Sequence, residues 1–456
     1  MTPTAETAAE EFGPGWYAAT AEAVPECRIL ASDLDVDVCV VGGGIAGLTI
    51  AHELGRHGWS VAVLDAGRIG VDEAGVATGI VAPGFSLSPQ NMIARVGVDR
   101  ARELWRLSEA GVARIRASVG ESGFAGVSPG AGVLAVASEN RGAEVLQRAE
   151  CVRETFGGAA EFWPTEKVRE TLRSSAMHQA VYLPNALHVH PLNYLLGLAA
   201  AARGVGVRVY ERTAVRAVDA SGIRKQADAV GGRVRARHIV LAAPGDLGAL
   251  HPSLAGTVMP LAFPVGVSAP LGPALADVVR FPGAVTTGLA AGSHRIVGGD
   301  RLMWTGALTA RFKPPRRLGE HLRREVLFTY PQLAELAIEH TWHARADYAV
   351  HRMPQIGELA PGLWLAAAFG AHGMARAVMA ADLIAGAIRE GDDRWRLFQS
   401  FGLVWTGGRA GRALVGAALG ARRARAALRR DKPLAAATPP HQNEPEVPPP
   451  QQRSSA

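Results

Sequence analysis

The chain has 456 residues, of which 48% are hydrophobic and 20% charged, a composition typical of a globular protein with two or three domains. Its three cysteines form no Cys-x-x-Cys pair, which argues against a disulfide framework or a cysteine-based zinc site. No uncharged apolar run reaches about 18 residues, and the acidic N-terminus lacks a signal-peptide pattern. We therefore expect a cytoplasmic protein without a membrane-spanning helix.

The net charge of +6 comes from the C-terminal part of the chain. Residues 409–432 carry seven arginines and one lysine against one aspartate, whereas the chain before them is neutral. That neutral part shows no basic surface with interleaved aromatic residues, which is the pattern of a nucleic-acid enzyme. We expect no nucleic-acid partner.

The first predicted elements are a strand, a glycine turn and a helix. Valines fill the strand 36–41, and Gly42, Gly44 and Gly47 follow with Gly-x-Gly-x-x-Gly spacing. These glycines permit a tight turn, the close approach of a pyrophosphate, and close packing of the helix on the sheet. The helix, expected over 45–56, directs its positive N-terminus towards the phosphates. The pattern predicts a dinucleotide-binding site.

A second strand, 60–64, ends in Asp65, eighteen residues after Gly47. A carboxylate at this position can bind both hydroxyls of a ribose. NAD and FAD both fit this unit, but its place near the start of the chain and the small residues Ala66 and Gly67 favour FAD. Residues 66–80 contain no histidine or cysteine, and no cysteine follows Cys151, so we expect FAD to bind noncovalently.

The middle of the chain alternates helical and strand-like segments. A buried strand entering a glycine turn, 238–245, is expected to return to the nucleotide sheet. Most of 251–346 is expected to form antiparallel strands, with a helix over 318–328. The other predicted elements are a helical region over 95–115, a strand at 132–136, helices at 145–152 and 194–202, and a strand at 207–210.

A second glycine turn follows the predicted strand 363–369, and a helix is expected over 375–389. The turn reads Gly-Ala-His-Gly-Met over 370–374. A helix N-terminus here can stabilise negative charge on the N1–C2=O side of a reduced flavin. Two such turns that can contact one long cofactor strengthen the case for FAD.

Together these elements predict an α/β protein (α+β overall). A Rossmann-like FAD-binding domain of the glutathione-reductase type would contain an inserted antiparallel-sheet substrate domain. The predicted divisions are an N-terminal extension (1–35), a discontinuous FAD-binding domain (36–85, 187–250 and 347–395), a substrate or cap domain (86–186 and 251–346), a basic helical segment (396–432) and a disordered proline-rich tail (433–456).

The chain resembles the FAD-dependent oxidoreductases of the D-amino-acid oxidase and glycine oxidase family, and within it is most similar to the gamma-glutamylputrescine oxidoreductase-like branch. The resemblance runs from Trp16 to about Leu428. It rests on the dinucleotide segment and on 187–191, Arg295 with 300–302, Trp342, 352–357, 370–374 and 401–409.

The resemblance implies oxidation of the C–N bond of an amine or amino acid, gamma-glutamylputrescine-like, N-substituted or of D configuration. The hydride would pass to flavin N5, the imine would be hydrolysed, and O2 or a quinone would take the electrons. The loop 76–84 departs from the branch and is more similar to that of D-amino-acid dehydrogenases and glycine oxidases. A D-amino-acid dehydrogenase that reduces a quinone is therefore one alternative, and a non-catalytic flavin-binding redox or interaction module is another.

Arg352 is our candidate for binding a substrate carboxylate, because a guanidinium can bind a carboxylate through two hydrogen bonds. A structural salt bridge is an equal interpretation of Arg352. His372 can tune the flavin or move a proton, or can simply bond the backbone of its turn. Tyr348 is a weaker catalytic candidate.

We predict no metal site. The predicted cofactor-binding residues are Gly42, Gly44, Ile45, Ala46, Gly47, Asp65, Ala66, Thr78, Gly79, Ile80, Val215, Gly370, His372, Gly373 and Met374.

The basic segment at the end of the chain is rich in alanine and leucine, which predicts a helix. A solvated arginine face is the favoured interpretation of this helix. A peripheral membrane contact or a partner site through 409–432 is the alternative.

Overall fold

The computed structural model of the protein describes residues 12, 15–22, 28–71, 75–245, 247–287, 292–313 and 316–430. The tail 433–456, for which we predict disorder, lies outside these residues, as does most of the N-terminal extension.

The helices and strands are as follows. The helices are α1 Trp16–Ala19, α2 Ile45–Gly55, α3 Pro89–Val96, α4 Val98–Ser122, α5 Gly142–Glu150, α6 Thr165–Leu172, α7 Pro191–Gly204, α8 Pro273–Val278, α9 Leu318–Thr329, α10 Met374–Glu390 and α11 Gly408–Arg430. The strands are β1 Leu34–Val41, β2 Val61–Leu64, β3 Ile80–Val81, β4 Gly130–Val136, β5 Glu161–Trp163, β6 Ala180–His188, β7 Arg208–Tyr210, β8 Val215–Asp219, β9 Lys225–Ala229, β10 Gly232–Leu241, β11 Met259–Ser268, β12 Ala284–Thr286, β13 Ser293–Val297, β14 Arg301–Thr305, β15 Ile338–Tyr348, β16 Gln355–Ala360 and β17 Leu363–Ala367.

The first sheet has the strand order β16-β17-β10-β1-β2-β7. The five strands from β17 to β7 run parallel, while β16 is antiparallel at one edge and β8 and β9 extend from β10 as antiparallel strands. The strand β2 is buried along its whole length and β1 along its second half, as expected for parallel strands covered on both faces.

The second sheet has the order β15-β11-β14-β13-β12-β4-β6-β3, with β5 paired to β6. Its strand pairs are antiparallel except for β4 and β12. A parallel Rossmann-like sheet and a mainly antiparallel sheet therefore lie in one chain, which confirms the predicted fold class.

Helices α2, α4 and α10 pack together beside the first sheet. A Cβ at Gly111 of α4 would lie 2.2 Å from the carbonyl oxygen of Ala375, so these two helices touch along their backbones. The predicted boundaries placed α4 in the cap, but its apolar residues Leu104 and Ile115 are buried in the same core as α2 and α10. The strand β3 belongs to the second sheet, where it pairs with the end of β6 at Leu187 and His188, two residues that the predicted FAD-binding domain also includes.

A buried carboxylate joins the same three helices. Glu53 of α2 accepts hydrogen bonds from Arg114 of α4 (2.6 Å) and Arg389 of α10 (3.0 Å). Burial raises the pKa of Glu53, but the hydrogen bond and charge of Arg114 outweigh it and leave the pKa below its ordinary value. The ionised Glu53 therefore holds the helix layer that carries both glycine turns.

The basic segment forms α11, as expected, from Gly408 onwards. Val415 and Leu419 pack it onto the second sheet, in a cluster that includes Met259 and Trp342. Across the described part of the chain, no helix has the length and apolar character needed to cross a bilayer.

Candidate flavin site

The first glycine turn requires glycine at two positions. Gly42 has φ of +110°, and a Cβ there would lie 2.7 Å from the carbonyl of Ala242 at the end of β10. A Cβ at Gly47 would lie 2.0 Å from the carbonyl oxygen of Gly42. Because no side chain fits at either position, α2 packs close against β1 and its N-terminus stays open to a ligand.

The N-terminus of α2 is free to bind an anion. Gly44 is its N-cap and supplies no side-chain hydrogen bond, and the first turn, from Ile45 through Ala46 and Gly47, contains no acidic residue. The first backbone N–H groups of a helix have no partner within the helix, and they carry its partial positive charge. This end of α2 therefore suits a phosphate.

Asp65 is fixed beside this turn. Its Oδ2 accepts a hydrogen bond from the N–H of Gly43 (2.7 Å) and its Oδ1 accepts one from Gly67 (2.8 Å). The backbone carbonyl of Asp65 accepts from Thr213 (2.6 Å), two residues before Val215. Ala66 follows Asp65, and Val215 begins β8 as a half-buried residue. The carboxylate, the glycine turn and the start of β8 thus lie together.

The second glycine turn links β17 to α10. Gly370 has φ of +75°, and a Cβ there would lie 2.9 Å from the ring of Tyr348 and 3.1 Å from Oγ of Ser86. Gly373 caps α10 without a side-chain hydrogen bond, and no acidic residue occupies the first turn from Met374. A second helix N-terminus is therefore available to negative charge.

The loop 78–80 contacts this second turn. The hydroxyl of Thr78 donates to the carbonyl of Ala371 (3.3 Å). Gly79 has φ of +74°, and a Cβ there would lie 2.2 Å from the carbonyl oxygen of Val189, while Ile80 pairs with His188. The sequence separates this loop from the turn by about three hundred residues, and the fold brings them together.

The observed arrangement fits FAD. Both glycine turns follow the carboxyl ends of parallel strands of one sheet, so they lie at the same edge, where nucleotides bind in this class of fold. One uncapped helix suits the pyrophosphate, and the carboxylate of Asp65 suits the ribose. The other uncapped helix suits the flavin end of the cofactor.

The three catalytic candidates lie near the second turn in different environments. The hydroxyl of Tyr348 accepts a hydrogen bond from the N–H of Ala371 (3.1 Å), and burial raises its pKa, so the phenol is neutral. His372 is half-buried, and burial together with the charge of Arg376 lowers its pKa to about 4, so its imidazole is neutral at pH 7. Arg352 is exposed and has φ of +61° in the connection from β15 to β16.

One buried cation that our sequence reasoning missed, Arg376, lies in the first turn of α10. It donates to the carbonyl of Gly84 (3.1 Å), to Oγ of Ser86 (3.1 Å) and to the carbonyl of Phe369. Burial lowers its pKa to about 10, so it stays charged at pH 7. An arginine inside an otherwise apolar helical pattern was the one signal that marked it.

A second buried arginine lies behind the loop 78–80. Arg295 donates to the hydroxyl of Tyr17 (2.8 Å) and to Nδ1 of His188 (2.7 Å), while its Nε has no hydrogen-bond partner among the residues that the structure describes. Burial lowers the pKa of His188 to about 3, so this partner is neutral. Within the described ranges no carboxylate pairs with Arg295, and a Cβ at Gly79 would lie 2.7 Å from its guanidinium.

The remaining histidine motif has a structural role. Nδ1 of His190 accepts a hydrogen bond from the N–H of Asn193 (3.1 Å). His190 thereby caps the N-terminus of α7, as the position of this histidine before Pro191 suggests. Its Nε2 contacts the hydroxyl of Thr20 at 2.9 Å. Among the residues described, no group of three histidines, cysteines or carboxylates lies close enough to hold a metal ion.

A parallel sheet with two uncapped helix N-termini and a carboxylate placed where a ribose can bind is the arrangement of a dinucleotide-binding flavoprotein. The family model described as "FAD dependent oxidoreductase", the DAO family, matches residues 37–387. The chain therefore belongs to the DAO family of FAD-dependent oxidoreductases. Its cofactor is FAD, bound noncovalently, and it is an enzyme of the amine- or amino-acid-oxidising type, which confirms the resemblance seen in the sequence.

Individual relatives agree with this assignment. The chain is 28% identical over 393 residues to gamma-glutamylputrescine oxidoreductase of Escherichia coli, across 85% of this chain and 92% of that protein. It is 27% identical over 372 residues to the probable oxidoreductase OrdL of Haemophilus influenzae, across 80% and 85% of the two chains. The structure of glycine oxidase from Bacillus cereus matches with a TM-score of 0.65 at 20% identity, across 80% and 98% of the chains, and so supports the fold.

Proposed function

We propose that the protein oxidises the C–N bond of an amine or amino acid that carries a carboxylate, and that Arg352 binds this carboxylate. The observation that carries the proposal is the charge of the site. Arg352 and Arg376 lie near enough to Tyr348 for their charges to oppose the rise that burial causes in its pKa, and no ion pair to either arginine occurs among the residues described. An unpaired guanidinium can bind a substrate carboxylate through two hydrogen bonds.

The same charges act on the amine. A substrate amine loses its hydride only as the free base, and nearby positive charge lowers the pKa of an ammonium group. Bound FAD supplies the acceptor for the hydride. The chain's contribution is to orient the substrate through Arg352, to favour the neutral amine through Arg376, and to offer the neutral groups Tyr348 and His372 as hydrogen-bonding partners.

The turn holding these groups is fixed in position. Tyr348 binds the N–H of Ala371, and Arg376 ties Phe369 to Gly84 and Ser86. Preorganised groups of this kind lower the barrier because they need no rearrangement during the reaction. Substitution of Arg376 should therefore disturb the flavin turn as well as the charge.

A gamma-glutamylputrescine-like compound, an N-substituted amino acid and a D-amino acid all combine an amine with a carboxylate. The similarity to the Escherichia coli enzyme supports a gamma-glutamylputrescine-like compound as the substrate. The loop 76–84 is more similar to that of D-amino-acid dehydrogenases, which keeps D-amino acids and a quinone acceptor as the second candidate. Either O2 or a quinone would then reoxidise the flavin.

The test is anaerobic bleaching of the flavin in the purified holoenzyme by polyamines, N-methyl amino acids, D-amino acids and gamma-glutamylputrescine. Compounds with both groups should bleach the flavin, whereas polyamines without a carboxylate should not. Bleaching by polyamines alone would overturn the proposed role of positive charge. If no amine bleaches a flavin that dithionite reduces, the non-catalytic alternative replaces the proposal.

Substitution of Arg352 tests its role directly. In R352M the substrate concentration for half-maximal bleaching should rise roughly 10- to 100-fold, since a hydrogen bond to a charged group contributes about 1.5–3 kcal/mol. R352K should recover part of the loss. The control is R345M, because Arg345 is exposed and stacks on Phe312 at 5.2 Å. Equal effects of R352M and R345M would contradict the assignment.

A further inference from the structure

The helix α11 carries an unusual charge. Between Gly408 and Arg430 the sequence has seven arginines and no aspartate or glutamate. Most surface helices mix both signs, since opposite charges one turn apart stabilise the helix. The charge of α11 is therefore uncompensated within the helix and is available to an anionic partner.

One face of α11 is used for packing on the body of the protein. Val415 and Leu419 are half-buried against the second sheet, and a Cβ at Gly416 would lie 3.4 Å from the Cβ of Ala310. The guanidinium of Arg412 lies 5.3 Å from the ring centre of Phe312. These contacts fix the rotation of the helix, so the residues on its outer face are determined.

The outer face of α11 is apolar. At roughly 100° per residue, a stripe opposite Val415 and Leu419 consists of exposed small or apolar residues, with Leu414 exposed by 73%. The stripe consists of Ala410, Ala413, Leu414, Ala417 and Ala421. A helix that only meets water normally presents its charged residues there.

The arginines flank this stripe on both sides. On the helical wheel, Arg409 and Arg425 border the stripe, one on each side, whereas Arg412 and Arg422 lie further round, next to the packed residues. All four side chains are exposed. The charges therefore surround the apolar stripe instead of occupying its centre.

The segment just before α11 exposes three apolar side chains. Leu403, Val404 and Trp405 are exposed by 37%, 40% and 67%. Tryptophan is enriched at the boundary between lipid headgroups and acyl chains, where its ring is partly dry and its N–H stays hydrated. Exposed large apolar side chains therefore directly precede the basic helix in the chain.

We propose that this surface, Leu403–Trp405 together with α11, binds the anionic face of a phospholipid bilayer. The alanine and leucine stripe would lie at the boundary of the acyl chains. The flanking arginines would extend sideways to lipid phosphates, as long basic side chains do at membrane interfaces. The helix would lie parallel to the bilayer because its arginines prevent it from crossing.

Two other partners fit the surface less well. A second copy would bring two helices of the same strong charge together, which is unfavourable. A nucleic acid would favour arginines at the centre of the contact face, whereas this centre is alanine and leucine. An anionic bilayer satisfies both the apolar stripe and the charges at its edges.

The experiment is flotation of the holoenzyme with phosphatidylcholine vesicles, with and without phosphatidylglycerol. The enzyme should float only with the anionic vesicles, and added salt should release it because salt screens exposed charges. L414D should abolish flotation, while I223D, which alters a side chain exposed by 89% elsewhere, should not. Both variants should keep their flavin absorbance, so the result does not depend on the proposed substrate.

The arginines are tested by a double variant. R409A/R425A should weaken partitioning into anionic vesicles roughly 25-fold, since each surface arginine contributes about a fivefold factor. R216A/R235A, which removes two exposed arginines from the first sheet, is the matched control. Equal loss in both double variants would overturn the proposal.

Three further results would overturn the proposal. One is failure of the wild-type enzyme to float with anionic vesicles. Another is a dimer in gel filtration that L414D dissociates, which would make the surface a contact between copies. The third is binding to duplex DNA that survives L414D while vesicle binding is absent.

Discussion

Substitution of Gly47 by alanine should separate cofactor binding from folding. The new Cβ would lie 2.0 Å from the carbonyl oxygen of Gly42 and 3.0 Å from the side chain of Val40, whereas ordinary contact begins at 3.4 Å. The N-terminal turn of α2 must therefore withdraw by about 1.4 Å. A hydrogen bond of about 2.9 Å does not survive such a displacement.

The expected magnitude follows from the donors that are lost. A hydrogen bond to a charged group contributes about 1.5–3 kcal/mol, so loss of two phosphate contacts costs about 3–6 kcal/mol. Since about 1.4 kcal/mol corresponds to a factor of ten, the Kd for FAD should rise roughly 100- to 10,000-fold. The measurement is titration of the apoprotein with FAD, in which quenching of the flavin fluorescence reports binding.

The matched control is G120A, in the exposed part of α4. No atom of the described residues lies within 4 Å of a Cβ at this position, so alanine should stabilise the helix by about 0.5–1 kcal/mol and leave the Kd for FAD unchanged. Thermal unfolding of both apoproteins shows whether G47A still folds. A folded G47A that binds FAD within threefold of the wild type would refute the close-packing argument.

Three further predictions concern the site and its support. D65A removes the carboxylate that accepts the Gly43 N–H, so the Kd for FAD in the same titration should rise roughly 10- to 100-fold, and an unchanged Kd would speak against ribose binding by Asp65. Burial raises the pKa of Asp382, beside Arg114, to about 6, so the folded protein keeps a proton that the unfolded chain releases near the ordinary pKa of 3.8. The folded state therefore loses stability as the pH rises from about 4 to 6. Because D382N cannot ionise, its Tm should exceed that of the wild type by more at pH 7 than at pH 4. Burial keeps His372 neutral above about pH 5, so H372Q and the wild type should show the same pH dependence of the rate of flavin reduction between about pH 6 and 8. If the wild type showed a change in rate in this range that H372Q lacks, His372 would titrate there.

Local sequence patterns were sufficient to predict the nucleotide-binding unit. The positive φ of Gly42 and the contact at Gly47 arise between residues a few positions apart, so the spacing of the glycines already specifies the turn. The helix α2 ends at Gly55, one residue before the predicted end at 56, and the strand β2 begins at Val61, one residue after the predicted start at 60. The second turn, from Gly370 to Met374, was recognisable for the same reason.

Domain boundaries followed less closely from the sequence. The helix α4 has an amphipathic pattern that shows it must bury one face, but the pattern does not say against which element. In the structure that face meets α10 through Gly111, more than two hundred and sixty residues away from Ala375. The short strand β3 gave a pattern too brief to reveal its partner.

The sequence by itself determined the class of cofactor and the backbone that holds it, because glycine turns and helix N-termini are set by local sterics and local charge. Only the tertiary structure revealed the buried cations around the site. Arg376 binds Gly84 across 292 residues, and Arg295 binds Tyr17 across 278. A buried charge is stable only where the fold brings hydrogen-bond acceptors to it from distant segments of the chain. The residues adjacent to an arginine in the sequence do not show which distant segments will do so.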